Sequence, residues 1–189
     1  PSDAVNILII IILLILSAYF SSAETALTTV NKIRMRSLAE ENSKAAKRVL
    51  KLIEEPSKML SAVLICNNIV NLSASSISTS YAFSICKRIG MENSTSLFAG
   101  IATGILTVLI LIFGEITPKS LATQNADKLV FALAPFIRFV CVITKPVVFV
   151  LNIITGFIIK LLGGNQEHGP SLTEEELKTI VTVGHEEGV

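Results

Sequence analysis

Residues 4–23 read AVNILIIIILLILSAYFSSA, which is 20 residues without a charged side chain. Because a helix rises about 1.5 Å per residue, this stretch can cross a hydrocarbon layer of about 30 Å. Residues 59–86 and 93–114 give two further uncharged stretches, of 28 and 22 residues. The sequence therefore predicts an all-α integral membrane protein with three transmembrane helices, over about 4–30, 59–86 and 94–117.

The composition excludes several other classes of protein. Of the 189 residues, 51% are hydrophobic and 16% are charged, against roughly 25% charged in an ordinary soluble domain. A soluble globular enzyme and a disordered chain are both excluded, and the net charge of +1 indicates no nucleic-acid partner. The sequence contains no HExxH motif, nucleophile elbow or paired membrane aspartates, so we expect no enzymatic activity.

The loop between the first two predicted spans is basic. Residues 31–58 contain eight Lys or Arg and four Glu, and short loops rich in Lys and Arg remain on the cytoplasmic side. We therefore expect a multi-pass protein of the plasma membrane with its N-terminus outside and its C-terminus in the cytoplasm. Apolar residues at helical spacing within the loop predict an amphipathic basic helix over about 43–55, lying in the inner headgroup layer.

The region after the third span is apolar but interrupted. The uncharged stretch from Pro146 to Ile159 has only 14 residues, which favours juxtamembrane helices over 118–162 that form a belt on the cytoplasmic side. A fourth crossing over 139–159 is the alternative, and it would bury Lys145 at a cost of about 2.5–3.5 kcal/mol. Residues 1–163 are thus predicted as the transmembrane domain, and residues 164–189 as a polar linker and an acidic connector helix.

Polar side chains interrupt the first two spans. Ser17, Ser21, Glu24 and Thr28 follow one another at spacings of four, three and four, so they share one face of a helix. Such residues at membrane depth are costly and often functional, although serine and asparagine also allow close packing of helices. We predict cation ligands among the polar residues of these two spans: Ser21, Ser22, Glu24, Asn67, Asn68 and Asn71.

The third span ends in the sequence FGEITPK over 113–119. Pro118 lacks the N–H that would bond the Gly114 carbonyl, so we predict a helix break at Pro118 and Lys119 that frees this carbonyl beside Glu115. Carboxylate and carbonyl oxygens suit Mg²⁺, Ca²⁺ or Na⁺. The alternative is a simple proline stop at the membrane edge, with Glu115 in water.

A pair of glycines lies earlier in the same span. Gly100 and Gly104 have the GxxxG spacing, which allows the backbone of another helix to approach closely. We predict that these two glycines pack against a second helix or a second subunit.

Three segments, FSSAETAL (20–27), NNIVN (67–71) and GEITPK (114–119), resemble the transmembrane domain of the CNNM/CorC magnesium-transporter family. The resemblance implies a homodimer among membrane lipids, with cytoplasmic CBS-pair and CorC-type domains in the full-length chain. It implies Mg²⁺ efflux coupled to Na⁺ through an inward-facing acidic cavity. By position, the ion-site serine of the family falls on Ser21, its asparagine on Asn67 or Asn71, and its carboxylate on Glu115. The alternative is a non-transporting dimeric membrane anchor or ion sensor for the CBS domains.

Overall fold

The computed structural model describes residues 3–90 and 95–162, and the elements within these ranges are helices. Four of them are long: α1 (Asp3–Thr29), α4 (Pro56–Arg88), α5 (Thr95–Leu109) with its continuation, and α7 (Ala126–Leu161). The continuation of α5 is a π-helix (Ile110–Ile116) followed by α6 (Thr117–Gln124), and a hairpin of α2 (Lys32–Glu40) and α3 (Lys44–Ile53) joins α1 to α4. The predicted linker and connector helix over 164–189 lie outside the described residues.

The predicted number of three spans is not matched, because four helices are long and apolar enough to cross a membrane. The region predicted as a belt of juxtamembrane helices, 118–162, is not divided into several short helices. Its longest part is α7, one helix of 36 residues that continues through Pro135 and Pro146. Proline ends helices in water, but apolar helices tolerate it where neighbouring groups satisfy the freed carbonyls. The chain divides into two compact units after Val148, and the second contains the described residues 149–162.

The core of the first unit lies between α1, α4 and the N-terminal half of α7. Ala23, Val63 and Ile137 are fully buried in one apolar cluster. Tyr19 of α1 contacts Phe136 of α7 edge to face, at a centroid distance of 5.2 Å. The Tyr19 hydroxyl also donates to the Leu133 carbonyl at 3.2 Å. These contacts fix the rotation of α1, and hence the direction in which its polar residues point.

The amphipathic helix predicted over 43–55 is confirmed as α3, but its surroundings differ from the expectation. Ser43 caps the helix by accepting a hydrogen bond from the Ala46 N–H at 3.2 Å. The apolar side of α3, including Val49, is buried in the same cluster as Met35 of α2. The apolar face of α3 therefore packs against the protein.

Candidate cation site

The third span does not break at Pro118. The Thr117 N–H bonds the Ile112 carbonyl, five residues earlier, and Ile116 and Thr117 both have right-handed helical φ and ψ angles. The predicted helix break at Pro118 and Lys119 is therefore wrong. The helix accommodates the missing donor of Pro118 by widening into a π-helix, an element found often at functional sites.

Three helices meet at a buried group of oxygen atoms. The Ser17 hydroxyl of α1 lies 3.4 Å from Asn67 Oδ1 of α4 and 3.4 Å from the Gly114 carbonyl oxygen of the π-helix. Ser17 is 1% exposed and Asn67 is 7% exposed. A hydroxyl has one proton to donate, so it can satisfy one of the two acceptors at a time. We call Ser17, Asn67 and Gly114 the oxygen triad.

The close approach at the triad requires glycine at position 114. A Cβ atom there would lie 2.8 Å from Ser17 Oγ and 3.2 Å from Ser17 Cβ. Any side chain would therefore push α1 away from the π-helix. The glycine thus lets a main-chain carbonyl reach into the polar face of α1.

Two further buried oxygens lie one helical turn from the triad along their own helices. Ser21 Oγ of α1 and Asn71 Oδ1 of α4 are buried and have no hydrogen-bond partner within the part of the chain that the structure describes. Ser21 is fully buried. Buried polar atoms in proteins almost always have a partner, so these two oxygens are available to a ligand that accepts their lone pairs.

Charged side chains lie next to this buried group. Lys119 Nζ of α6 is 3.3 Å from Glu24 Oε2 of α1 and 3.4 Å from Glu115 Oε1 of the π-helix. Their side chains are partly exposed: 22% for Glu24, 38% for Glu115 and 34% for Lys119. We call these three residues the charged mouth, because they combine proximity to the buried oxygens with contact to the outside.

The structure thus brings together several of the residues that the sequence singled out. Asn67 and Gly114 meet in the triad, and Glu24 and Glu115 meet through Lys119. Asn68 is exposed and Ser22 is partly buried.

Two residues at the site were absent from the predicted ligands. Ser17 stood in the predicted polar stripe of α1, and its spacing of four from Ser21 was the signal that could have added it. Lys119 was noted only as part of the predicted helix break, and its ion pair with Glu24 joins residues 95 positions apart, which local spacing does not show.

Two other observations bear on the sequence predictions. An added Cβ at Gly100 or Gly104 would meet nothing within 4 Å, so this face of α5 makes no close contact within the described chain.

Residues 3–90 and 95–162 also contain no group of three His, Cys, Asp or Glu that could hold a metal ion.

Comparison with known proteins identifies the family of this chain. Residues 8–189 match the family model described as the cyclin M transmembrane N-terminal domain, CNNM. The chain belongs to the CNNM family. It is 40% identical over 176 residues to a UPF0053 protein of Haemophilus influenzae, covering 93% of this chain and 40% of that protein.

Two other relatives extend the comparison. The UPF0053 inner membrane protein YfjD of Escherichia coli is 36% identical, over 88% of this chain and 37% of its own length. The polyamine export protein of H. influenzae is 28% identical, over 97% of this chain and 44% of its own length. This CNNM chain therefore spans about two fifths of the length of these relatives, and it is a multi-pass membrane domain.

Proposed function

We propose that this chain is the transmembrane domain of a divalent-cation transporter whose substrate is Mg²⁺. The observation that carries the proposal is the oxygen triad, in which Asn67 Oδ1 and the Gly114 carbonyl oxygen both lie 3.4 Å from the Ser17 hydroxyl and share its single proton. A cation would relieve this excess of acceptors. The two unpartnered oxygens of Ser21 and Asn71 add further neutral ligands.

The donor set suits a hard cation. Mg²⁺ binds oxygen at about 2.0–2.1 Å in an octahedron, whose edges are then about 2.9 Å long, whereas Ca²⁺–oxygen distances of about 2.3–2.6 Å give edges of about 3.3–3.7 Å. The triad separations of 3.4 Å exceed the Mg²⁺ edge. Mg²⁺ would therefore draw the three helices together by about half an ångström or retain water between itself and some of the ligands.

The charged mouth supplies the negative charge and the access. The Glu115 side chain is 38% exposed whereas Ser17 and Ser21 are buried, so an ion would meet this carboxylate before the neutral oxygens. The basic hairpin follows α1 at the same end, and its charge favours a cytoplasmic location. We propose an inward-facing acidic cavity, Mg²⁺ efflux coupled to Na⁺, and a homodimer that uses the open face at Gly100 and Gly104.

Flux measurement with a carboxylate variant tests this proposal. The full-length protein is reconstituted in sealed vesicles, and Mg²⁺ movement is followed with a trapped fluorescent indicator. We expect Glu115→Gln to abolish saturable flux, and Glu54→Gln, a change at an exposed residue after α3, to leave it intact. Unchanged flux in Glu115→Gln would overturn the site. Saturable Mg²⁺ binding without flux in the unmodified protein would instead identify a dimeric anchor or ion sensor for cytoplasmic CBS domains.

A second candidate substrate is an organic polyamine. One relative is named a polyamine export protein, and Glu24 and Glu115 already hold a primary ammonium group, that of Lys119. The same vesicles loaded with spermidine distinguish the two substrates. Spermidine efflux that Mg²⁺ does not inhibit would favour the polyamine, whereas Mg²⁺ flux that spermidine does not inhibit would favour the metal.

A further inference from the structure

The Lys119 ammonium occupies the position where an incoming cation would meet both carboxylates. It lies 3.3 Å from Glu24 Oε2 and 3.4 Å from Glu115 Oε1. We propose that Lys119 is a tethered competitor, which neutralises one of the two carboxylate charges and must leave the pair before both carboxylates can hold the substrate cation. This inference rests on the proposed function and adds a residue that sets the affinity of the site for the cation.

The charge balance requires this displacement. Two carboxylates and one ammonium have a net charge of −1, and a divalent cation added among them would raise it to +1 in a partly buried position. With Lys119 outside, the two carboxylates and the divalent cation are neutral together. Like charges a few ångströms apart repel strongly where water is partly excluded, so simultaneous occupancy is unfavourable.

The side chain is able to leave. Lysine carries its charge on a flexible four-carbon stem, and the Lys119 side chain is 34% exposed, so part of it already reaches the protein surface. In the paired position it links α1, through Glu24, to the third span, through Glu115. Release of Lys119 therefore removes a cross-link between two helices when the cation binds. Competition of this kind keeps binding weak and reversible, which transport requires.

Titration of the purified full-length protein tests the competition. We expect Lys119→Gln to lower the Mg²⁺ dissociation constant by about tenfold or more, because the competitor is lost. Lys119→Arg retains a cation at this position and should bind Mg²⁺ no more tightly than the unmodified protein. Lys128→Gln is the matched control, since it removes an exposed charge in the first turns of α7 and should change the constant less than twofold.

Chemical labelling tests the displacement itself in the unmodified protein, without dependence on the folding of a variant. An amine-reactive acetylating reagent is applied with and without Mg²⁺, and the modification of each lysine is measured by mass spectrometry. We expect Mg²⁺ to increase the acetylation rate of Lys119 severalfold and to leave that of Lys128 unchanged. If Lys119 lowered the Mg²⁺ affinity only through long-range electrostatics, without occupying the site, Mg²⁺ would not increase its acetylation rate.

The outcomes separate this inference from the proposed function. Saturable Mg²⁺ binding with equal or weaker affinity in Lys119→Gln would overturn the competition alone. Tighter binding in that variant without any Mg²⁺-dependent labelling of Lys119 would overturn the displacement. No saturable binding by the unmodified protein or by any variant would overturn the proposed function together with this inference.

Discussion

The Ser17 hydroxyl lies 3.4 Å from the carbonyl oxygen of Gly114, although 97 positions of the chain separate the two residues. Both residues are buried, and the contact joins α1 directly to the π-helix. A hydroxyl–carbonyl distance of 3.4 Å is longer than the usual 2.7–2.8 Å. The hydrogen bond is therefore weak, and the geometry at this point depends on how closely the two helices pack.

Gly114→Ala tests this dependence. The added Cβ would lie 2.8 Å from Ser17 Oγ, so α1 or the π-helix must move. Overpacking of this kind costs about 1–3 kcal/mol of stability, and separation of the triad oxygens should weaken Mg²⁺ binding by about tenfold or more. Thermal unfolding and Mg²⁺ titration of the purified protein measure the two effects.

Gly104→Ala is the matched control, because an added Cβ there meets nothing within 4 Å. Because Gly104 belongs to the face proposed for the homodimer, the comparison uses protein that remains dimeric by size-exclusion chromatography, and its Mg²⁺ affinity should be unchanged. Equal affinities for Gly114→Ala and the unmodified protein would show that the oxygen triad does not bind the ion.

Much of the site was predictable from the sequence, because membrane burial makes polar residues conspicuous. Glu24, Asn67 and Glu115 stand out in apolar stretches. Gly114 was identified because it lies four residues before Pro118, which lacks the N–H that would bond its carbonyl. The pairing across helices was not predictable in detail. Spacing indicates which residues share a face of α1. The rotation of α4 and of the π-helix against that face depends on packing, and this rotation places Asn67 beside Ser17.

The fold was predictable where one physical effect dominates. Long uncharged stretches gave α1, α4 and the third span. At α7 two effects compete, since Pro135 and Pro146 disfavour a helix whereas the surrounding apolar residues favour one. The belt was predicted from the 14-residue uncharged stretch and from the cost of burying Lys145, and neither of these decides whether residues 126–161 form one helix. At Pro118 the sequence correctly identified a lost donor, but the helix responds by widening rather than breaking.

Ser17→Ala tests the residue that the sequence prediction missed. The change removes one proposed oxygen ligand and the hydroxyl that Asn67 Oδ1 and the Gly114 carbonyl share. We expect Mg²⁺ affinity to fall by about tenfold, with a loss of stability near 0.6 kcal/mol, typical of a hydrogen bond between membrane helices. Ser84→Ala is the control, because Ser84 is exposed and its hydroxyl donates to the Ser80 carbonyl of its own helix. Affinity equal to that of the control would make Ser17 a packing residue.

Met35→Ala tests whether the basic hairpin packs against the protein. Met35 of α2 is fully buried, whereas Ile33, two residues earlier, is 81% exposed. Truncating a buried methionine costs about 2–5 kcal/mol, so we expect a clear loss of thermal stability in Met35→Ala. Ile33→Ala should have an effect below about 0.5 kcal/mol. Similar small effects in both variants would mean that the hairpin separates from the bundle at little cost.

Pro118→Ala tests the role of the π-helix. Alanine restores an N–H four residues after Gly114, where it can bond the Gly114 carbonyl as in a regular α-helix. That bond competes with the Ser17 hydroxyl and turns the carbonyl toward its own helix axis. We therefore expect Mg²⁺ affinity to fall severalfold while thermal stability stays the same or rises, a combination that simple damage to the fold would not produce.

Pro146→Ala provides the comparison, since it also replaces a proline inside a helix, α7, but at a residue outside the triad and the charged mouth. It should raise or preserve stability without changing Mg²⁺ affinity. Pro118→Ala and Pro146→Ala both restore a main-chain N–H donor. They differ in the position of the carbonyl that this donor can bond, which lies in the triad only for Pro118→Ala. Unchanged affinity in Pro118→Ala would therefore show that the Gly114 carbonyl is not a ligand, even if the carboxylates of Glu24 and Glu115 are.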